Sequence, residues 1–420
     1  MSSFNPVERS IARILAKAPF IKKIVKSAYA HFVFIRNKKP FAHESKFDLA
    51  VISSESESFF GYYDKSPSNK NGLVLCHNTE SSATSGLPNV NSSVNIVLFE
   101  KNVFAKKMSI PACAYNWQQG TRLHWLNDEL FIYNDFNSTD NRYVAKVIST
   151  RNLEQEREFE LPVQDSFGTD YFLSINYRRL MTLRPDYGYR NLPKMSNEEM
   201  NSLDNDGIWR VDYKTGDSTL LVSLAEMCEV QSSPIFSEAV HKANHVMISP
   251  NGKRFIFMHR YLIGKRRFDR LFLADAETGE LTLLSDFGMV SHCFWADDNT
   301  VLGYMRGPEE VDGYWLLDVN NIEFKAFEHE KLAKYGDGHP HVNGDWFITD
   351  TYPDKARMQH LILCNWKTGE VKEIGEFFHG FQFQGESRCD LHPRFSQDGK
   401  TVFFDSVFSG ERRLYSMDVF

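Results

Sequence analysis

Four histidines recur at matched places in the second half of the chain: Asn244-His245-Val246, Ser291-His292-Cys293, Gly338-His339-Pro340 and Leu391-His392-Pro393. Their spacings are 47, 47 and 53 residues. Imidazole is the commonest protein ligand for transition metals and the usual general base near neutral pH. Carboxylates stand close by at Asp337 and Asp390, and a further histidine follows at His341. A single histidine of this kind reads best as a hydrogen-bonding residue between repeats. Four in register, with carboxylates beside them, read as a site.

The elements that must position them are repeats. Ile248-Ser-Pro-Asn-Gly-Lys-Arg-Phe-Ile-Phe257 matches Phe395-Ser-Gln-Asp-Gly-Lys-Thr-Val-Phe-Phe404, and Phe294–Leu302 and His341–Ile348 are looser copies. Each reads as strand, turn, strand, followed by a third strand and often a fourth. A Thr-Gly turn joins the last two at Thr278-Gly279 and Thr368-Gly369. Four strands per period of about 47 residues predict propeller blades. Units at 246–285, 293–328, 340–376 and 393–420 join less regular ones at Gly72–Met108, Arg122–Leu161 and Tyr171–Leu224, making seven. The third holds an insertion, Leu183–Asn205. The last unit has three strands, and Phe47–Ser53 supplies its fourth, closing the ring and removing an open edge. The expectation is an all-β, seven-bladed propeller over 46–420; the regular period argues against a pair of β-sandwiches. First strands line a propeller's channel, so the four histidines converge at one mouth.

Other polar groups fall at the same level. Tyr62, Tyr63 and Asp64 precede the first blade, Gln118 and Arg122 open the second, Arg178 lies in the third, and Arg184 and Tyr187 lie in its insertion, which overhangs the channel. Arg388 precedes the last histidine. Aromatic faces with arginine forks suit a charged sugar, stacking on the ring and pairing with a carboxylate. The plainer reading makes Tyr62 and Tyr63 strand core and Arg184 a solvated loop residue. His259-Arg260 ends a second strand and reads as structural. No GxSxG, Walker loop, HExxH or GxGxxG stands in a suitable context, which disfavours acyl-transfer, nucleotide and Rossmann chemistry.

Over 420 residues, 42% are hydrophobic and 14% aromatic, ample for a large core. Net charge is −7, so nucleic acid is not an expected partner. Residues 1–40 carry +8, leaving −15 on the rest. Within residues 1–45, positions 6–36 repeat apolar residues at steps of three and four with lysines and arginines between them, predicting a basic amphipathic helix that Pro19 kinks or divides. Such a helix either lies on an anionic membrane surface or docks on the protein's own body. No signal peptide or membrane span is expected. Six cysteines without a CxxC pair read as reduced thiols of a cytosolic protein, peripheral on the inner membrane face if the helix binds lipid.

The segments Ser291–Asp297, Asn244–Pro250 and His392–Gly399 resemble oligogalacturonate lyases, which are seven-bladed, TolB-like propellers. That resemblance implies a divalent, manganese-type ion held by histidines and a glutamine, with a separate histidine as base. By position, His292 and His392 match metal ligands and His245 matches the base. The family's glutamine and its remaining metal histidine are replaced by the neighbourhood of Ser387, Arg388 and Asp390, so Asp390 is a substitute ligand. With His339 in register, the candidate metal set is His292, His339, His392 and Asp390. The chain also resembles proteins encoded with bacterial surface-polysaccharide genes, which implies a glycan substrate.

The expected function is therefore a metal-dependent lyase that cleaves a uronic-acid-containing glycan by β-elimination. His245 accepts the C5 proton, Arg184 or Arg178 steadies the enolate, and Tyr62, Tyr63, Asp64, Gln118, Arg122, Tyr187 and Arg388 bind the acidic oligosaccharide. The alternatives are a membrane-associated cytoplasmic enzyme of surface-polysaccharide assembly, such as a glycosyl-transfer enzyme, and a non-catalytic propeller that binds glycan or protein.

Overall fold

The computed structural model describes residues 19–420 apart from 54, 80–82 and 101–104. Among these, seven antiparallel sheets of at least four strands are arranged as blades. Their first strands are Glu57–Phe59, His124–Trp125, Asp165–Phe167, Val240–Ile248, Val290–Trp295, His341–Asn343 and Arg394–Phe395. From the third blade to the seventh, each first strand touches the next, so these strands line the channel. Blades one and three begin earlier than their expected starts at Gly72 and Tyr171, because a first strand of three residues is too short to carry a readable period.

The repeated turns are alike in detail. Gly252 N–H donates to Ser249 O at 2.9 Å, and Gly399 N–H to Ser396 O at 2.9 Å. The serine hydroxyls accept from Arg254 N (3.1 Å) and Thr401 N (3.0 Å). The second strands that follow are buried on both faces, as in Phe255-Ile-Phe-Met258, because each blade is covered by its neighbours. Each such phenylalanine contributes about 1.5–3 kcal/mol on burial.

Blade seven is completed by the chain's beginning. Ala50 pairs with Ser416 and Val51 with Tyr415, inside the expected Phe47–Ser53, and Ile52 N–H reaches Leu414 O at 3.0 Å. A further strand, His43–Ser45, adds a fifth member to the outer edge of blade six. Deep in blade seven, Arg394 pairs with Asp405 at 2.9 Å, and Asp405 also accepts from Phe60 N (2.9 Å) and Gly61 N (3.2 Å). This buried pair fixes the segment that enters the channel.

The insertion of blade three starts with the helix Tyr177–Leu183, capped by Asn176, whose side chain accepts from Arg178 N and Arg179 N. A second helix, Asn197–Asn201, opens with a capping box between Ser196 and Glu199.

At the N-terminus the described helix is Pro19–Asn37, and expected positions 6–18 lie outside the described residues. One side docks on blade six: His31 stacks on Phe381 at 4.0 Å and Phe34 meets Phe378 at 5.6 Å. Ile24, Phe32 and Ile35 stay exposed, Ile35 by 73%. Among the described residues, no helix is long and apolar enough to cross a membrane.

Candidate functional site

The four histidines meet at one place. Ring centroids are 5.7 Å apart for His245 and His292, 4.0 Å for His292 and His339, and 4.4 Å for His339 and His392. The backbone is bent to aim them. The strand ladder slips between Asn244 and Met247 and again between Val290 and His292. His245 and His392 sit at φ of +57° and +42°, a left-handed conformation that costs a side-chain-bearing residue about 1–3 kcal/mol.

Phe60-Gly-Tyr-Tyr-Asp64 fills the channel between them. Tyr62's ring lies 5.6 Å from His245 and 5.1 Å from His392, and Tyr63's lies 5.8 Å from His292 and 5.5 Å from His339. Gly61 is required here: its φ is +119°, and a Cβ would stand 2.8 Å from the Gln119 carbonyl carbon. Tyr63 O–H donates to Cys293 O at 2.9 Å, and His341 donates to Tyr63 O at 2.6 Å.

Proton positions follow from the partners. His392 donates Nδ1–H to Gly61 O at 3.0 Å, and His339 directs Nδ1–H to Asp350 Oδ1 at 2.7 Å. Both Nε2 atoms are then left buried without a partner. Asp390 adjoins them, its Oδ2 being 4.0 Å from His392 Nε2. One ligand atom from each of His339, Asp390 and His392 falls within 4.8 Å of the others. Two imidazole nitrogens oriented from their far side, plus a carboxylate, form a donor set for a divalent transition metal. Burial would raise the Asp390 pKa, but the Arg388 fork at 2.6–2.9 Å outweighs it and holds the carboxylate far below its usual range. His392 is kept well below the usual imidazole range by burial and by His339. Burial would lower His339 too, but Asp350, Asp390 and Asp337 together raise it.

His292 adjoins this group and lies outside it. Its Nδ1 faces Ser291 Oγ at 3.1 Å and Asp337 Oδ1 at 3.4 Å, and burial with His339 lowers it to about 4.

His245 Nε2 is hydrogen-bonded to Tyr62 Oη, and its Nδ1 to the Asn244 side-chain amide. A neutral ring carries one proton. Turning the amide so that its oxygen accepts Nδ1–H gives buried Asn244 Oδ1 its missing partner and leaves Nε2 to accept from Tyr62 O–H. Burial, with Arg260, His292, Arg184 and Lys242, holds His245 well below the usual range, and burial raises the Tyr62 phenol well above its own. A neutral acceptor thus faces a protonated donor.

The insertion overhangs this pair as expected. Tyr187's ring lies 5.8 Å from Tyr62 and 5.7 Å from His245. Arg184 lies 4.4 Å over Tyr187 and binds Asp186 at 3.1 Å. Gln118 Nε2 donates to Arg388 O at 2.7 Å. Three expected contributors are engaged elsewhere. Arg178 is held by Glu199 and by Pro193 O at 2.7 Å, within the insertion. Arg122 and Asp64 are fully buried against each other in a two-pronged pair at 3.0 and 2.7 Å, below Tyr62; they brace the channel segment instead of facing a ligand.

Lys242, not singled out from the sequence, and Arg260, read there as structural, both act electrostatically on His245. Lys242 is buried on the strand of His245, and burial with Arg260 and Arg184 holds its amine well below the usual lysine range. Arg260 pairs with Asp269 at 2.7 Å and donates to Val290 O. A lysine three residues before His245, on the strand of that histidine, was the available signal. A cavity of about 270 Å³ lies farther along the inner strands, lined by Asp64, Lys65, Asp165, Met247, Ile248 and Trp295 among others.

The sequence matches no described protein family and no curated protein. The fold is similar to that of an oligogalacturonate lyase in complex with manganese, at 15% identity and a TM-score of 0.58, covering 90% of this chain and 94% of that one. The oligogalacturonate lyase of Vibrio parahaemolyticus gives 14% identity and a TM-score of 0.57, covering 90% and 96%. These likenesses establish a shared seven-bladed propeller architecture.

Proposed function

We propose that this chain is a metal-dependent enzyme that cleaves a uronate-containing glycan by β-elimination, with Mn²⁺ as its ion. The observation that carries this reading is the pair of partnerless Nε2 atoms on His339 and His392 beside the Asp390 carboxylate, next to a proton-transfer pair, Tyr62 and His245. The manganese-bound lyase of similar fold supports the choice of ion.

His339, His392 and Asp390 hold the metal, with His292 beside them. When bound, the ion withdraws electrons from the substrate carboxylate and so acidifies the neighbouring C5–H. His245 Nε2 takes that proton as the C4–O bond breaks and the C4–C5 double bond forms. Tyr62 O–H protonates the departing oxygen. The proton on His245 then returns to the Tyr62 oxygen along their hydrogen bond. Arg184, carried by the overhang, steadies the carboxylate as charge develops.

The test is ultraviolet absorbance of the unsaturated product on uronate oligosaccharides, with metal titrated in. We expect a metal-dependent rise that His339→Ala and His245→Ala abolish. No rise on any uronate substrate, or one unaltered in both variants, sinks the reading; metal binding without turnover leaves a glycan-binding propeller.

A second reading concerns location: an enzyme of surface-polysaccharide assembly resting on the cytoplasmic face of a membrane. The exposed apolar stripe Ile24, Phe32 and Ile35, set among basic residues of a chain that is otherwise acidic, supports an anionic bilayer as its occupant. Flotation with phosphatidylserine-containing liposomes should succeed at low salt and fail after Phe32→Asp with Ile35→Asp. Equal flotation by that variant, or none by the natural chain, removes the bilayer.

A further inference from the structure

Away from the channel, a second group of metal-ligating side chains converges where blade three hands over to blade four. Cys228 lies on the short helix Leu224–Glu229, His241 on the strand Val240–Ile248 and His259 on the strand Arg254–Ile263. In the ladder, His241 faces Tyr261 and Ala243 faces His259, so the two histidines are diagonal neighbours on one face of the sheet.

Their donor atoms point at one another. Cys228 Sγ is 3.5 Å from His241 Nδ1, and His241 Nδ1 is 2.9 Å from His259 Nε2. One ligand atom from each of the three falls within 4.8 Å of the others. Around tetrahedral zinc, with Zn–N near 2.05 Å and Zn–S near 2.3 Å, two nitrogens stand about 3.4 Å apart and nitrogen and sulfur about 3.6 Å. The sulfur–His241 separation already matches that spacing, and the two imidazole nitrogens would part by about half an ångström. His241 is already oriented for ligation: its Nε2–H donates to Phe236 O at 2.8 Å, which turns the Nδ1 lone pair toward the other two. Both histidines are buried while Cys228 is partly exposed, so the cysteine side of the group lies toward the surface. Arg270 donates to Met227 O at 3.0 Å and to Val230 O, holding the cysteine's helix; burial pushes the free Cys228 thiol up to about 11, and the Arg270 charge offsets part of that.

We propose that Cys228, His241 and His259 form a second metal site, built for a zinc-class ion with three protein ligands and water at the fourth position. Sulfur with two imidazoles is a softer set than the histidine–carboxylate group of the channel, and it selects a different metal. The bound ion staples the helix Leu224–Glu229 to the strand that carries Lys242 and His245.

The experiment is Co²⁺ titration of the metal-stripped full-length protein, read by the near-ultraviolet thiolate-to-cobalt band and the visible bands of tetrahedral cobalt. We expect both sets of bands in the natural protein and in the His339→Ala/His392→Ala variant, which lacks both channel imidazoles. Added Zn²⁺ should erase them. Cys228→Ser, close in size and at a partly exposed position, should lose the thiolate band while keeping the native thermal midpoint without metal; His259→Gln should lose both sets. No thiolate band in the natural protein, or a full band in Cys228→Ser, overturns the proposal. Because the channel variant keeps this site, the result is independent of whether the lyase reading stands.

Discussion

Asp350 holds His339 twice on a single oxygen, accepting its backbone N–H at 2.8 Å and its Nδ1–H at 2.7 Å on Oδ1. The other oxygen accepts His392 N–H at 3.0 Å. One buried carboxylate thus orients the His339 ring and anchors the backbone of His392, the two residues whose Nε2 atoms lack hydrogen-bond partners. Asp350→Asn keeps the shape and removes the charge. We expect Mn²⁺ affinity to fall about 10–100-fold, with little change in the unfolding midpoint of the metal-free protein. Calorimetric titration against the natural protein measures it.

Tyr62→Phe keeps the ring that packs against His245 and His392 and removes only the hydroxyl. On the proposed chemistry, kcat drops about 10²–10⁴-fold while bound metal is unchanged. A variant with full turnover would take Tyr62 out of the proton path.

Acid should weaken the fold through buried neutral imidazoles. His77 accepts Thr121 N–H at 3.2 Å, its ring stacks on Phe59, and burial lowers it to about 3. The unfolded chain titrates near 6.5. Between these values the unfolded state binds the extra proton, so stability falls as pH falls from about 7 toward 3, by up to about 1.4 kcal/mol per pH unit for this ring. Urea unfolding across that range should show the slope, and His77→Asn should lessen it by up to one proton.

Arg394→Met strands Asp405 in the core, leaving it only the two backbone donors of Phe60 and Gly61. Breaking a buried pair from one side costs about 3–5 kcal/mol. Removing both charges with Asp405→Leu should recover part of that loss in denaturant titrations. If the single variant were as stable as the natural chain, the pair would not anchor the channel segment.

How much of this could be read beforehand depends on length and distance. The matched turns at Ile248–Phe257 and Phe395–Phe404 carry the blade period in contiguous residues, so the propeller and its closure by residues near 50 were readable. First strands such as His124–Trp125 are two residues long and leave no period. The histidines were recognisable by register, and their bulges and left-handed backbone are the local cost of aiming them. Asp350 could not be foreseen, because it acts on His392 from 42 residues away and nothing near it in the chain marks the pairing. Arg122 and Asp64 have the right chemistry for a ligand, and only their mutual burial reveals that they are spent on each other.

The strand that closes blade seven and the tyrosines that fill the channel belong to one short run, Ala50 to Asp64. Tyr62 can meet His245 and His392 only when that run is clamped between Tyr415–Ser416 on one side and Asp405 on the other. During synthesis, then, the contacts that hold Tyr62 against His245 and His392 are not complete until the blade carrying Asp405 and Tyr415 has emerged.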